Sequence, residues 1–199
     1  MLDITVMLLY AWLSDLFSDP KKKRKIAEAA RTKLFDALMS ENLIIDSNIW
    51  MNEGYSSFFL VLEALLENSG KPVVLLGPQF DEICNIKFKS PNAKDKRKAK
   101  RTRLAIKRIE NLQKKGLLQI SPISIERKRE AYADPVILQL LVAIGMQPRS
   151  VSFVSDDKEL RIRARELLRA GKASAKIIDL RELKSEIIVF AHSRAEGLV

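Results

Sequence analysis

The sequence predicts an α/β fold with three layers, α/β/α, and a mostly parallel central sheet. Short apolar runs alternate along the chain with helical stretches of ten or more residues, which is the pattern of a parallel sheet covered by helices. The runs are continuously apolar, which is typical of strands buried on both faces. A length of 199 residues with 47% hydrophobic residues suits one domain of ordinary size with an extension.

Each element is predicted from its residue spacing and from the residues that bound it. Strands are expected at Leu43–Ile45, Val73–Leu76, Leu117–Ser121, Val151–Val154 and Lys176–Leu180. Helices are expected at Ala27–Met39, Phe58–Leu66, Gln79–Ile86, Lys94–Lys115, Pro135–Ile144, Lys158–Ala170 and Arg181–Arg194. The chain contains no internal repeat and neither a GxGxxG nor a Walker A loop, which argues against a dinucleotide-binding or P-loop enzyme.

The first 40 residues are expected to form an N-terminal helical extension, and residues 41–199 the α/β domain. The apolar run Ile4–Leu13 is shorter than the about 20 residues of a membrane-spanning helix, and Asp3 stands where a secretory signal carries positive charge. We therefore expect a cytoplasmic protein that buries this run in its core or in a homodimer contact. Binding to an acidic membrane surface through the run and Lys21–Lys25 is the less favoured alternative.

The positive charge of the chain is confined to two segments. The formal net charge is +10, from 35 Lys and Arg against 25 Asp and Glu. Lys21–Lys25 contributes +5 and Lys94–Arg108 contributes +8, so the remaining residues sum to −3. Clustered like charges repel unless a polyanion neutralises them, which indicates a nucleic-acid partner. The candidate phosphate-binding residues are Lys94, Lys96, Arg97, Lys98, Lys100, Arg101, Arg103, Lys107 and Arg108.

Carboxylates follow two of the predicted strands. Asp46 comes directly after the first strand, and Asp156 and Asp157 come after the strand that ends at Val154. Ligands of open α/β sheets bind at the carboxyl ends of the strands, and an all-oxygen cluster there suits Mg²⁺ or Mn²⁺. With a single His and a single Cys, the chain excludes a two-histidine ribonuclease and a Cys-rich zinc site.

Two further acids lie between these strands in the sequence. Glu82 falls in the helix after the second strand, and Asp134 precedes Pro135 at a helix start. Each acid has a structural alternative, because Asp134 and Asp156 are good N-caps and Glu82 stabilises the dipole of a helix N-terminus. The order of the acids along one α/β chain favours a shared site.

These motifs resemble those of PIN-domain nucleases. The resemblance covers roughly Asn42 to Leu180 and rests on IIDSNIW at Ile44–Trp50 and FVSDDKELRIRA at Phe153–Ala164. Glu82 in PQFDEI and Asp134 in ADPVILQLL stand where the helix glutamate and the third acid of the family would fall. Pro135 directly after Asp134 departs from the family pattern, and Asp156 replaces its usual Asn.

The resemblance implies Mg²⁺- or Mn²⁺-dependent hydrolysis of phosphodiester bonds in single-stranded RNA by a PIN-like domain over residues 41–199, with a basic helical segment at about 94–115. The implied catalytic and metal-binding residues are Asp46, Glu82, Asp134 and Asp157, with Asp156 as a further ligand candidate. Ser47, Asn48 and Ser155 would orient the carboxylates or their water, and local turn capping is the alternative for the first two.

Several functions agree with this resemblance. An endoribonuclease could be a toxin of the VapC type with an antitoxin protein as partner, or an RNA-processing enzyme. A PIN-like protein that binds RNA or a protein partner without cutting is the first alternative. A structure-specific DNA nuclease, with Lys94–Arg108 as a basic helical arch, is the second.

Overall fold

The structure, a computed structural model, describes residues 19–86, 93–121 and 134–198 and shows an α/β fold. Its strands are β1 (Asn42–Ile45), β2 (Val73–Leu76), β3 (Leu118–Ser121), β4 (Ser150–Val154) and β5 (Ser174–Ile178). Its helices are α1 (Pro20–Leu38), α2 (Ser47–Met51), α3 (Ser56–Ser69), α4 (Gly77–Ile86), α5 (Ala93–Lys114), α6 (Asp134–Gly145), α7 (Lys158–Arg169) and α8 (Lys184–Ala195). The predicted alternation of strands and helices is confirmed.

The strands pair in two parallel groups. In one group β4 lies between β1 and β5, and in the other β2 pairs with β3. Ile45 of β1 is aligned with Val154 of β4, so both strands end at the same edge of the sheet. The chain order of the strands reverses between β1 and β4, which is where ligands bind in open α/β folds.

The side chain of Gln79 joins the two groups. Gln79 is completely buried, its Nε2 donates to the Ile45 carbonyl at 2.9 Å, and its Oε1 accepts the Leu76 N–H at 3.2 Å. Because Ile45 and Leu76 are the last residues of β1 and β2, the glutamine aligns the carboxyl ends of both strands. Sequence reasoning gave Gln79 no role beyond beginning a helix.

Helices cover both faces of the sheet, which is compatible with three layers. Leu43 and Ile45 of β1 pack in one hydrophobic cluster with residues of α1, α3 and α8. Ile44 packs in a second cluster with residues of α6 and α7. Successive strand side chains point to opposite faces, so both faces of β1 are buried, as its unbroken apolar run predicts.

Helix α1 belongs to the same packed unit as the rest of the described chain. It begins at Pro20, with the Asp19 side chain accepting the Lys21 N–H as N-cap. Leu34 and Leu38 are completely buried in the cluster that also contains Phe190 of α8. The described part of the predicted extension therefore packs against the α/β domain, and the boundary at residue 40 stays a prediction. The predicted helix over Ile4–Leu13 lies outside the described residues, and no helix within the described ranges is long and apolar enough to cross a membrane.

Several elements differ from their predicted ranges. Helix α1 begins at Pro20, seven residues before the predicted start at Ala27. Strand β5 lies at Ser174–Ile178, two residues before the predicted strand at Lys176–Leu180. The reason is Asp179, whose side chain accepts the Arg181 N–H and starts a 3-10 turn at Leu180–Leu183. Helix α8 consequently begins at Lys184 and not at Arg181. The short helix α2, which begins directly after Asp46, was not predicted.

Candidate active site

Asp46 is buried at the carboxyl end of β1. It is 1% exposed and acts as the N-cap of α2. Its Oδ2 accepts the Ser155 hydroxyl at 2.7 Å and its Oδ1 accepts the Asn48 N–H at 3.4 Å. Burial raises the pKa of Asp46 against the effect of these two hydrogen bonds, and the charges of Asp134 and Asp157 raise it further.

Ser155 connects the ends of β1 and β4. It is completely buried, and its Oγ donates to Asp46 and accepts the Asp157 N–H at 3.0 Å. Its backbone N–H donates to the Ile178 carbonyl at 3.1 Å, and its own carbonyl accepts Nη1 of Arg161 at 2.7 Å. Two hydrogen bonds of the hydroxyl and two of the backbone therefore fix the position of Ser155 beside Asp46.

The two acids that follow β4 point to different partners. Asp157 is exposed and its Oδ1 accepts the Leu160 N–H at 3.0 Å, so it is the N-cap of α7. Asp156 accepts the hydroxyl of Tyr55 on Oδ2, and its buried Oδ1 has no hydrogen-bond partner among the described residues. Burial of Tyr55 and then this hydrogen bond raise the pKa of the phenol. The charge of Asp157 raises the pKa of Asp46.

Asp134 reaches the same group of charges from α6. The residue as a whole is exposed, and partial desolvation of its carboxyl raises its pKa. The neighbouring Asp157 raises the pKa further, while Arg163 opposes the shift. Asp134 and Asp157 therefore lie close enough to Asp46 for their charges to raise its pKa.

Glu82 lies in α4, the helix that follows β2. It is half-buried, and α4 packs against α2. Across residues 19–86, 93–121 and 134–198, no three His, Cys, Asp or Glu side chains are gathered closely enough to hold a metal ion together. The cluster of four or five ligands expected from the sequence therefore stays a prediction.

The two residues after Asp46 are in different environments. Ser47 is buried, and its hydroxyl has no hydrogen-bond partner in the described part of the chain. Asn48 is exposed, and its side chain lines a cleft of about 310 Å³ between α2 and α5. The other residues that line this cleft are Met51, Asn52, Lys98 and Arg101.

The basic helix α5 presents most of its predicted phosphate-binding residues to solvent. Those exposed are Lys96, Arg97, Lys98, Lys100, Arg101, Arg103 and Lys107. Lys100 also forms an ion pair with Glu53 at 2.9 Å. The helix ends at Lys114, near the predicted end, and Gly116 adopts a φ of +70° in the turn that follows. The side chain of Lys94 lies outside the described part of the chain.

Arg108 differs from the prediction that it contacts phosphate. It is 8% exposed, and its Nη1 donates to the carbonyls of Trp50 at 2.8 Å and Asn52 at 2.9 Å. Its guanidinium lies 4.3 Å from the centre of the Phe59 ring. Burial lowers the pKa of Arg108 to about 10. Arg108 therefore satisfies the carbonyls at the end of α2 and is turned away from solvent.

Comparison of the chain with protein-family models, with curated proteins and with solved structures finds no match. The functional interpretation therefore depends on the site itself.

Proposed function

We propose that this chain is a PIN-like endoribonuclease that hydrolyses single-stranded RNA with Mg²⁺ or Mn²⁺. One observation carries the proposal. The buried Asp46 carboxylate lies at the carboxyl end of β1, where the charges of Asp134 and Asp157 raise its pKa. Asn48, whose N–H it accepts, lines a cleft with Lys98 and Arg101. A cation would relieve the repulsion among the acids, while the basic residues suit a phosphate backbone.

The donor set fits a hard divalent cation. All candidate ligands are carboxylate oxygens, and Mg²⁺ is commonly held by one or two carboxylates with water and substrate phosphate completing its shell. Asp46 with Asp157 or Asp134 would supply the protein ligands. The bound cation would polarise the scissile phosphate and activate water. This mode of binding does not require three carboxylates to converge.

The side chains around Asp46 would keep it ionised and oriented. The Ser155 hydroxyl and the Asn48 N–H both hydrogen-bond the charged carboxylate and favour that form. The cations of α5 would position the RNA backbone without reading its sequence. No histidine is needed for this chemistry, which agrees with the single His of the chain.

A PIN-like protein that binds RNA without cutting it is the second candidate. It is favoured by the structural tasks of the acids, because Asp157 caps α7 and Asp156 accepts the Tyr55 hydroxyl. Both candidates predict RNA binding, and they differ in whether the phosphodiester bond breaks.

Cleavage of labelled single-stranded RNA in Mg²⁺ or Mn²⁺ tests the first candidate. We expect wild-type activity that EDTA abolishes, and a loss of about a hundredfold or more in Asp46→Asn, since metal catalysis contributes several kcal/mol. Asp36→Asn makes the same change at an exposed carboxylate of α1 and should retain activity.

Three results would contradict or redirect the proposal, and a fourth would refine it. Cleavage that persists in Asp46→Asn would reject the site. An intact substrate with clean, RNA-binding wild type would favour the binding protein. Preferential cutting of flap DNA over RNA would indicate a structure-specific DNA nuclease. Inhibition by a co-expressed neighbouring protein would assign the nuclease to the VapC-type toxins.

A further inference from the structure

The cleft between α2 and α5 begins beside the candidate active site. Asn48, which lines it, donates its backbone N–H to Asp46. The cleft has a volume of about 310 Å³, which is at the lower end of the range for small-molecule sites. A cleft of this size suits a single nucleotide of a nucleic-acid strand. Lys98 and Arg101 form the α5 side of the cleft, opposite Asn48, Met51 and Asn52.

The two basic residues of the cleft lie on a different face of α5 from the exposed cations Lys96 and Arg103. Residues seven apart lie on the same face of a helix. Lys98 and Arg101 precede the buried residues Ala105 and Arg108 by seven positions, so they continue the inward face beyond the core. Lys96, by contrast, shares its face with Arg103, and both are exposed and absent from the lining of the cleft.

The opposite wall offers an apolar side chain and two amides. Met51 is partly buried and provides the apolar surface. Oδ1 of Asn52 accepts the Gly54 N–H at 2.9 Å, which leaves its Nδ2 as the group that can face the cleft. The exposed Asn48 amide carries both a donor and an acceptor, as recognition of a base edge requires.

We propose that this cleft is a nucleotide subsite for single-stranded RNA. Lys98 and Arg101 bind the phosphate, Met51 packs against the base, and the Asn48 amide hydrogen-bonds the base edge. A base in a duplex has its pairing edge occupied, so the subsite selects unpaired nucleotides. The inference rests on RNA as the substrate class of the proposed function, and it does not depend on cleavage.

Binding of short labelled oligo(A), oligo(C) and oligo(U) to the full chain, measured by fluorescence anisotropy in EDTA, tests the subsite. Without metal no cleavage occurs, so an inactive protein that still binds contradicts only the proposed nuclease activity. We expect Lys98→Ala/Arg101→Ala to weaken binding about tenfold or more and to reduce the slope of log affinity against log salt by about 0.7, the value for one phosphate.

A matched double variant separates the subsite from general electrostatics. Lys96→Ala/Arg103→Ala removes the same two residue types from the outward face of α5 and should retain most of the affinity. Equal losses in the two double variants would overturn the proposal, as would a wild type that does not bind.

The base contact has its own readout. Wild type should discriminate among the three oligonucleotides and bind a duplex of the same length more weakly. Asn48→Ala should reduce the ratio between the tightest and the weakest of the three affinities, by a factor of up to about ten. It should leave the slope of log affinity against log salt unchanged. Equal affinity of wild type for all three sequences, or for single strand and duplex, would refute base binding in the cleft.

Discussion

Asp46 and Asp179 occupy equivalent places in the fold but have opposite electrostatic surroundings. Each directly follows a parallel strand, each caps the helical turn after it, and they are 1% and 7% exposed. A hydrogen bond from Arg181 and the charge of Arg161 hold the pKa of Asp179 below its usual range. Burial instead raises the pKa of Asp46 above it.

The difference separates an acid that stabilises the fold from one suited to an external cation. Arg161 pairs with Asp179 at 2.8 Å, so the chain supplies the counter-charge itself. Within residues 19–86, 93–121 and 134–198, the groups that most affect the pKa of Asp46 are a hydroxyl, a backbone amide and two further carboxylates. Burying a charge without a counter-charge is costly, and this arrangement is characteristic of functional sites.

Breaking the Arg161–Asp179 pair should give the largest effect on stability. Asp179→Ala leaves the buried Arg161 without its counter-charge, so we expect the free energy of unfolding to fall by about 3–5 kcal/mol. Urea unfolding at neutral pH measures it. Arg181→Ala removes only the exposed partner of Asp179 and should cost much less. Equal losses in the two variants would show that the buried pair has no special role.

Ser155 links the two carboxylates, and its removal should affect activity more than stability. Its carbonyl accepts Arg161 and its hydroxyl donates to Asp46. Ser155→Ala should lower cleavage about 10–100-fold, as outer-shell changes do, and should raise the pKa of Asp46 further because the hydrogen bond lowers it. Ser155→Thr keeps the hydroxyl and should restore part of the activity. If Ser155 acts by lowering the pKa of Asp46, the acid limb of the pH profile of cleavage should shift to higher pH in Ser155→Ala. General misfolding would lower the activity without shifting this limb.

Much of the fold could be predicted because its strands are short and continuously apolar. Val73–Leu76 was predicted residue for residue, and Asp46 and Asp157 follow from the ends of their strands. The role of Gln79 could not be predicted, because it depends on β1 and β2 lying side by side. A polar residue that follows a strand is also usually part of a turn. Asp156 was equally ambiguous, since only the position of Tyr55 assigns its contact.

The misassignment of Arg108 shows what a charge count misses. Arg108 stands at the end of a basic run, yet Ala105 three residues before it and Leu112 four residues after it are both buried. The helical period therefore places it at the edge of the inward face. Applied to the whole run, the same test would have separated Lys98 and Arg101 from the outward-facing cations.

A divalent cation should stabilise the chain through Asp46 and leave the Asp179 region unaffected. Ligand that binds only the folded state adds about 1.4 kcal/mol at ten times its Kd. We expect Mg²⁺ or Mn²⁺ to raise the thermal midpoint of wild type and of Asp36→Asn, with no increase for Asp46→Asn. A cation-dependent increase that persists in Asp46→Asn would place the binding site elsewhere.

The pH dependence of stability should have opposite signs at the two aspartates, with at most about 1.4 kcal/mol per pH unit for one proton. The folded pKa of Asp46 lies above its ordinary value of 3.8, so its contribution to stability is present below that value and is lost as pH rises through the folded pKa. Asp46→Asn cannot titrate, and its stability relative to wild type should therefore increase with pH over that window.

Asp179 should show the reverse. Its folded pKa lies below 3.8, so its contribution is present above that value and is lost as pH falls through the folded pKa. The loss in free energy of unfolding caused by Asp179→Asn should be largest near neutral pH and should become smaller as the pH falls. Urea unfolding in EDTA over a pH series measures both variants against wild type. If the two variants showed the same change in stability with pH relative to wild type, both acids would have the same electrostatic role. The electrostatic argument that Asp46 binds a cation would then fail.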